Sequence, residues 1–257
     1  MIIGLSGKKQ SGKNTSCNFL AGEVLRNKVI LYEGGLVSYY KVNDFGELVV
    51  PSQVSEDSMA DGVLDLQSLN PDFLNWAGEY VFPHVKVYSF AFWLKWISVN
   101  IFQVNPQCVY GNDEQKNGPT HISRSVLKDF KVRKKILADE PEFLSGREFL
   151  QFLGTDVMRK IYARVWCDSL MNTILAEQSE LSLVCDVRFP DEAECIKSNG
   201  GKVVRLLRDV SGSEHESEIA LDDYSDFDFV LDNKELTVQE MGAQLIEYVN
   251  TLGVLHL

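Results

Sequence analysis

The chain opens with a short apolar, β-branched run, Ile2-Ile3-Gly4-Leu5-Ser6, and then changes period. Gly7 to Gly12 is a polar turn bounded by glycines, after which Cys17, Phe19, Leu20, Val24 and Leu25 recur at helical spacing. The pattern predicts strand, glycine loop, helix. Further on, residues 85–89 read as a second strand and 90–102 as a strongly apolar helix carrying Lys95. Residues 147–162 read as one amphipathic helix with Phe149, Leu150, Leu153, Val157 and Ile161 on one side, and another helix follows over 165–178. An apolar strand, 181–185, ends on Asp186. A helix over 190–198 stops at Gly200-Gly201, and strands follow at 202–207 and 229–231 before a last helix, 235–251. Alternating strands and helices predict an α/β fold, a parallel five-stranded sheet with helices on both faces.

Residues 30–70 depart from this rhythm. Stretches 36–42 and 48–50 predict a hairpin around Asn43-Asp44-Phe45-Gly46, whereas 51–70 is polar and acidic with few apolar anchors. The segment reads as a peripheral insertion or flap outside the core. Pro71 after Asn70, an N-cap residue, starts a helix to about Tyr80. Turn signals at 110–113 and 117–119 and a basic run (Lys128, Lys131, Arg133, Lys134, Lys135) mark 103–178 as a helical substrate-binding or lid region. The core is then 1–28, 82–102 and 180–257 of a single domain.

Composition narrows the chemistry. Lys plus Arg is 25 against 37 Asp plus Glu, a formal charge of −12, which disfavours a nucleic-acid partner. The five cysteines form no CxxC pair and read as reduced thiols of a cytoplasmic protein. The four histidines lie far apart, so no metal cluster is legible. The start, MIIGLSGKKQ, lacks the apolar region of a signal peptide, and no stretch approaches 18 apolar residues, so no membrane is expected.

Gly7-Lys8-Lys9-Gln10-Ser11-Gly12-Lys13 matches GxxxxGK, the pattern of a phosphate loop. Successive backbone N–H groups in such a turn form an anion nest, the helix N-terminus adds its dipole, and Lys13 reaches the β- and γ-phosphates. Asn14 follows the lysine where a Mg²⁺-touching hydroxyl is usual, so either Asn14 or the next residue, Thr15, is the candidate to order the metal. Asp186 closes a strand at the carboxyl edge of the sheet, where open α/β sheets bind ligands, and Arg188 projects two residues beyond. On one helix, Arg147 and Gln151 share a face that Gly154 and Thr155 continue. Taken alone, that face reads as a solvated helix surface with a glycine at a close crossing.

Together these segments resemble the tailed-phage deoxynucleoside monophosphate kinases. Residues 7–15 look like their phosphate loop, in which Asp or Asn often follows the lysine, and Arg147 to Asp156 with Trp166 resembles their substrate-side helix. Asp186-Val187-Arg188-Phe189-Pro190-Asp191-Glu192-Ala193 is similar to their central strand-end motif, and His215-Glu216-Ser217-Glu218 to a late lid-like segment. The resemblance implies a P-loop NTPase fold of the nucleoside monophosphate kinase type, ATP with Mg²⁺ as donor and a deoxynucleoside 5′-monophosphate as acceptor. It implies Gly7, Lys9, Ser11, Gly12, Lys13, Asn14 and Thr15 on the donor side, with Asn14, Thr15 and Asp186 as metal candidates. It implies Arg147, Gln151, Gly154, Thr155, Trp166, Asp186, Arg188 and Glu192 on the acceptor side, and Lys13, Arg147, Asp186 and Arg188 as the catalytic set. Trp166 reads equally as a base-stacking ring or as core. Arg205 and Arg208 read as lid or adenine-side arginines, or as strand-edge ion pairs. The implied setting is the cytoplasm, the host's if the source is viral, with a homodimer as candidate assembly. Two alternatives stay open: a P-loop kinase of another phosphorylated metabolite, phosphomevalonate-like or dephospho-coenzyme-A-like, and a nucleotide-gated binding module without transferase activity.

Overall fold

The computed structural model describes residues 1–28, 40–55, 58–125, 142–208 and 220–253. The predicted basic run, Lys128 to Lys135, and His215-Glu216-Ser217-Glu218 lie outside the described residues. Two compact units emerge, one of Met1–Ser89 with Leu170–Leu257 and one of Phe90–Ser169. The first begins with β1 (Ile2–Ser6), α1 (Lys13–Lys28), β2 (Lys41–Val42), β3 (Leu48–Ser55), β4 (Ser58–Val63), α2 (Pro71–Tyr80) and β5 (Val85–Tyr88). The second holds α3 (Phe92–Asn100), α4 (Pro106–Tyr110), α5 (Asp113–Asn117), β6 (Pro119–Ser123), β7 (Phe143–Ser145), α6 (Gly146–Gln151), a π turn (Phe152–Met158) and α7 (Arg159–Ile161). The helix α8 (Val165–Glu177) leads back into the first unit, which continues with β8 (Leu181–Val187), α9 (Pro190–Ser198), β9 (Lys202–Leu207), β10 (Phe229–Asp232) and α10 (Val238–Thr251).

In the first unit the five parallel strands lie in the order β10-β9-β1-β8-β5. All five residues of β1 are buried, as expected of a central strand with helices on both faces. Gly4 makes this packing work: a Cβ there would stand 2.5 Å from Ile196 Cδ1 on α9. The chain leaves β1 for the edge strand β5, returns to β8 beside β1, and then crosses to β9 and β10. This reversal opens a crevice at the carboxyl end of β1, and Ser6 lies in register with Val187 of β8 and Arg205 of β9 there.

The described residues of the 30–70 segment form an insertion outside the five-stranded sheet, and correct only the expectation that it lies outside the core. β2, β3 and β4 form a three-stranded antiparallel sheet, and Tyr40, Val42, Leu48 and Leu66 are buried in the same core as Leu20 and Leu25 of α1. The predicted turn is present. Asn43 Oδ1 accepts from the Phe45 and Glu47 amides at 3.0 Å each. Asn18 of α1 donates to the Gly46 carbonyl at 2.8 Å. The apolar spacing missed β4 because its pairing with β3 rests on backbone hydrogen bonds, while ends such as Asp61 and Val63 face solvent.

The helix expected over 147–162 is also corrected. It is α-helical to Gln151, widens into the π turn and ends by Ile161, which is 77% exposed instead of on the apolar side. The wider turn adds a residue and rotates everything after it off the original face. Phe149 and Leu153 still enter a second core with Val104, Cys108, Val109 and Leu144. All five cysteines are buried and none is in a disulfide. Among the described residues no helix is long and apolar enough to cross a membrane.

Asp228 fastens β10 to β9. Its carboxylate accepts from Lys202 Nζ and from the Val203 amide, both at 2.9 Å. Burial pushes the carboxyl up, but these two donors outweigh it and hold it below the usual aspartate value. A depressed folded value means stability that is present above about pH 4 and lost as pH falls through the folded titration. Asp228→Asn is expected to cost about 1 kcal/mol in urea melts at pH 7. The difference from wild type should shrink as pH falls through the folded titration, and a deficit independent of pH would contradict the assignment.

Candidate active site

The loop between β1 and α1 is built for an anion. Gly7, Gln10 and Gly12 take φ of 152°, 62° and 97°, left-handed positions that turn successive amides toward one side. No side chain fits at Gly7, where a Cβ would lie 2.9 Å from the Leu206 carbonyl oxygen. The Ser11 amide donates to Lys8 O at 3.1 Å, and Ser16 N to Gly12 O at 2.8 Å starts α1. Lys13 Nζ donates to the Gly7 and Lys8 carbonyls, both at 2.7 Å. Its charge is thereby held against the loop that must receive phosphate.

Across the crevice, β8 carries Asp186 next to its last residue, one position earlier than a strand-closing residue. Ser89, just past β5, donates to Asp186 Oδ2 at 2.6 Å. A carboxylate fixed from the neighbouring strand end is oriented before any ligand arrives. Its charge reaches behind the loop as well. The Cys17 thiol is pushed well up, first by burial, then by Cys185 and Asp186.

The candidate donor and acceptor residues are placed unequally. Asn14 is exposed on the first turn of α1. Thr15 packs under the β2–β3 turn, where a Cβ on Gly46 would meet its Oγ1 at 2.2 Å. Arg188 is half-buried beyond β8. Glu192 is 3% exposed and accepts from the Arg188 and Phe189 amides at 2.8 and 3.1 Å. Its carboxylate caps the start of α9.

In the other unit, Arg147 donates to Asp113 Oδ1 at 2.9 Å and to Asn117 Oδ1 at 3.1 Å. Gly154 lies against Leu94, whose Cδ2 a Cβ would approach to 2.8 Å. Trp166 is 5% exposed, and its indole donates to Gly154 O at 3.2 Å. Gln151, at the end of α6, and Thr155, within the π turn, are half-buried.

Around the loop, the sequence pattern left Arg205 open between two readings and missed Asp222 and Asn233. Arg205, 8% exposed on β9, donates to Ser6 Oγ at 3.1 Å and to Asp222 Oδ1 at 3.0 Å. Of its two readings this is the ion pair, and Asp222 also stands 3.8 Å from Lys8 of the loop. Asn233, just past β10, donates to Ser11 O at 2.9 Å. A polar residue following an apolar strand was the only sequence signal for it.

The family model of deoxynucleotide monophosphate kinases matches residues 88–243, more than half of the chain. A relative described as a putative deoxynucleotide monophosphate kinase, from Acanthamoeba polyphaga mimivirus, is 28% identical over 180 residues, covering 63% of this chain and 81% of its own. The deoxynucleoside-5′-monophosphate kinase of Escherichia phage T5 is 32% identical over 82 residues, 31% of this chain and 33% of its own. The glycine loop lies before the matched region, so it and the family match are separate observations that agree. With Asp186 and Arg188 inside the matched stretch, the chain belongs to the deoxynucleotide monophosphate kinase family.

Proposed function

We propose that this protein transfers the γ-phosphoryl group of ATP to deoxynucleoside 5′-monophosphates, giving the diphosphates used for DNA precursors. The observation that carries the reading is the loop Gly7–Lys13, with its left-handed positions and ammonium, set between the central strand and α1 beside a pre-oriented Asp186. The acceptor is an anionic phosphate oxygen, so no strong general base is needed, and catalysis is positioning plus neutralisation of charge. Lys13 and the loop amides hold the donor's phosphates. Arg188 is assigned to the acceptor phosphate, where a bidentate guanidinium suits a phosphomonoester. Arg147, Gln151 and Thr155 are assigned to the acceptor on the resemblance alone.

The chain also suits Mg²⁺ carried in with a nucleotide. Among the described residues no three His, Cys, Asp or Glu side chains gather to cage a metal. A single carboxylate at a phosphate site is the usual protein share of a Mg²⁺ shell. When bound there, the ion neutralises charge on the β- and γ-phosphates. Asp186 is the residue placed to hold it. Asn14 is the second candidate, and Thr15, packed under Gly46, the weaker one. The viral relatives fit a host-cytoplasm setting.

A coupled ADP-release assay across the four common dNMPs and the matching NMPs tests the reading. Turnover with at least one dNMP, exceeding that with its ribose counterpart, is the expected result. ADP release with none of them would favour another acceptor, and ATP binding without any transfer would favour a binding module.

A further inference from the structure

We infer that Asn233, through the Ser11–Gly12 peptide, aims a phosphate-binding amide of the loop and is a positioning residue for the donor polyphosphate. The inference rests on the proposed kinase reading. Asn233 is 1% exposed. Its own amide continues the sheet by donating to Leu207 O at 3.0 Å, which fixes its backbone at the end of the β10–β9 ladder. From there Nδ2 reaches Ser11 O at 2.9 Å and Met241 Sδ of α10 at 3.4 Å. A peptide unit is planar and trans, so its C=O and N–H point to opposite sides. Drawing the Ser11 carbonyl inward onto Asn233 therefore turns the Gly12 amide the other way, and that amide belongs to the residue just before Lys13. Gly12 sits at φ 97°, a region where glycine rotates at little cost, so nothing in the loop's own backbone preference holds this plane.

Two further facts mark the spot as purposeful. Ser11 Oγ and Asn233 Oδ1 are both buried without a protein hydrogen-bond partner. An apolar residue at 233 would remove one orphaned group at no obvious packing loss, since buried unpaired polar atoms are costly. What the asparagine supplies is a donor to the Ser11 carbonyl.

The test measures binding without turnover, by calorimetry with inorganic tripolyphosphate, ATP and dNMP on the full chain. Asn233→Ala is expected to weaken tripolyphosphate and ATP by similar factors, tenfold or more, and to leave dNMP unchanged. Asn233→Asp keeps the volume and is the second variant, used where the alanine change unfolds the protein. Its ionised carboxylate cannot donate to Ser11 O, and its protonated form can. Tripolyphosphate binding by this variant, relative to wild type at each pH, should recover as pH is lowered through the carboxyl titration. Unchanged tripolyphosphate affinity in folded Asn233→Ala, or in Asn233→Asp at a pH above its carboxyl titration, would overturn the inference, as would a loss for ATP alone, which belongs to an adenosine contact. An equal loss for dNMP would mark a merely structural residue and overturn it too. Wild-type protein that ignores tripolyphosphate would bring down the kinase reading, and this inference with it.

Discussion

Lys13→Ala is expected to abolish phosphoryl transfer while leaving the protein folded. The ammonium is tied to the Gly7 and Lys8 carbonyls, both on the part-exposed loop, so water can replace it there without a buried vacancy. In the transferring complex nothing replaces it. A fixed positive charge beside the γ-phosphate is worth several kcal/mol in a site that excludes water, which corresponds to about three orders of magnitude in kcat. The check is steady-state kcat at saturating ATP, with circular dichroism to confirm the fold. Retention of more than about a tenth of wild-type kcat, a loss under roughly 1.4 kcal/mol, would remove the phosphate-loop assignment.

Asp186→Asn should lower kcat by about two orders of magnitude or more, on the scale of a lost electrostatic contact in such a site. The substitution is close to isosteric, and Ser89 can still donate to the remaining carbonyl oxygen, so geometry is kept while charge is lost. Asp186 is expected to carry more than the usual share because the residue after Lys13 is Asn14, a weaker cation partner than a hydroxyl. A Mg²⁺ titration of the variant separates two roles. Partial recovery of kcat at high Mg²⁺ means that the carboxylate orders the metal shell. No recovery means that it positions the acceptor. Unchanged kcat at ordinary Mg²⁺ would reduce Asp186 to a strand residue.

Elements with strong local signals were legible in the sequence. The β1–loop–α1 unit was plain because an apolar run, a glycine pattern and a helical period follow one another within the first 25 residues. The strands of the parallel sheet were legible because burial on both faces writes them as continuous apolar runs. β4 was not, since its pairing is carried by backbone groups that any side chain permits. The π turn was hidden for a related reason: Phe149 and Leu153 keep their places in the core, and only Ile161, a turn later, shows the rotation. In the site, glycines and a lysine announced the loop. Its supports, Ser89, Arg205, Asp222 and Asn233, are brought to it by strand order, which no local spacing encodes.

The neutral thiol behind the phosphate loop gives the protein an internal clock. Cys17 is buried, and burial, Cys185 and Asp186 all keep its proton on. Since only thiolate is nucleophilic, an electrophile in solution meets almost no reactive sulfur while α1 stays seated on β8. Modification must wait for α1 to lift, and its rate then reads the free energy of that local opening. A nucleotide held at the first turn of α1 would slow the clock, so this silent cysteine records, in hours of labelling, how firmly the loop is occupied.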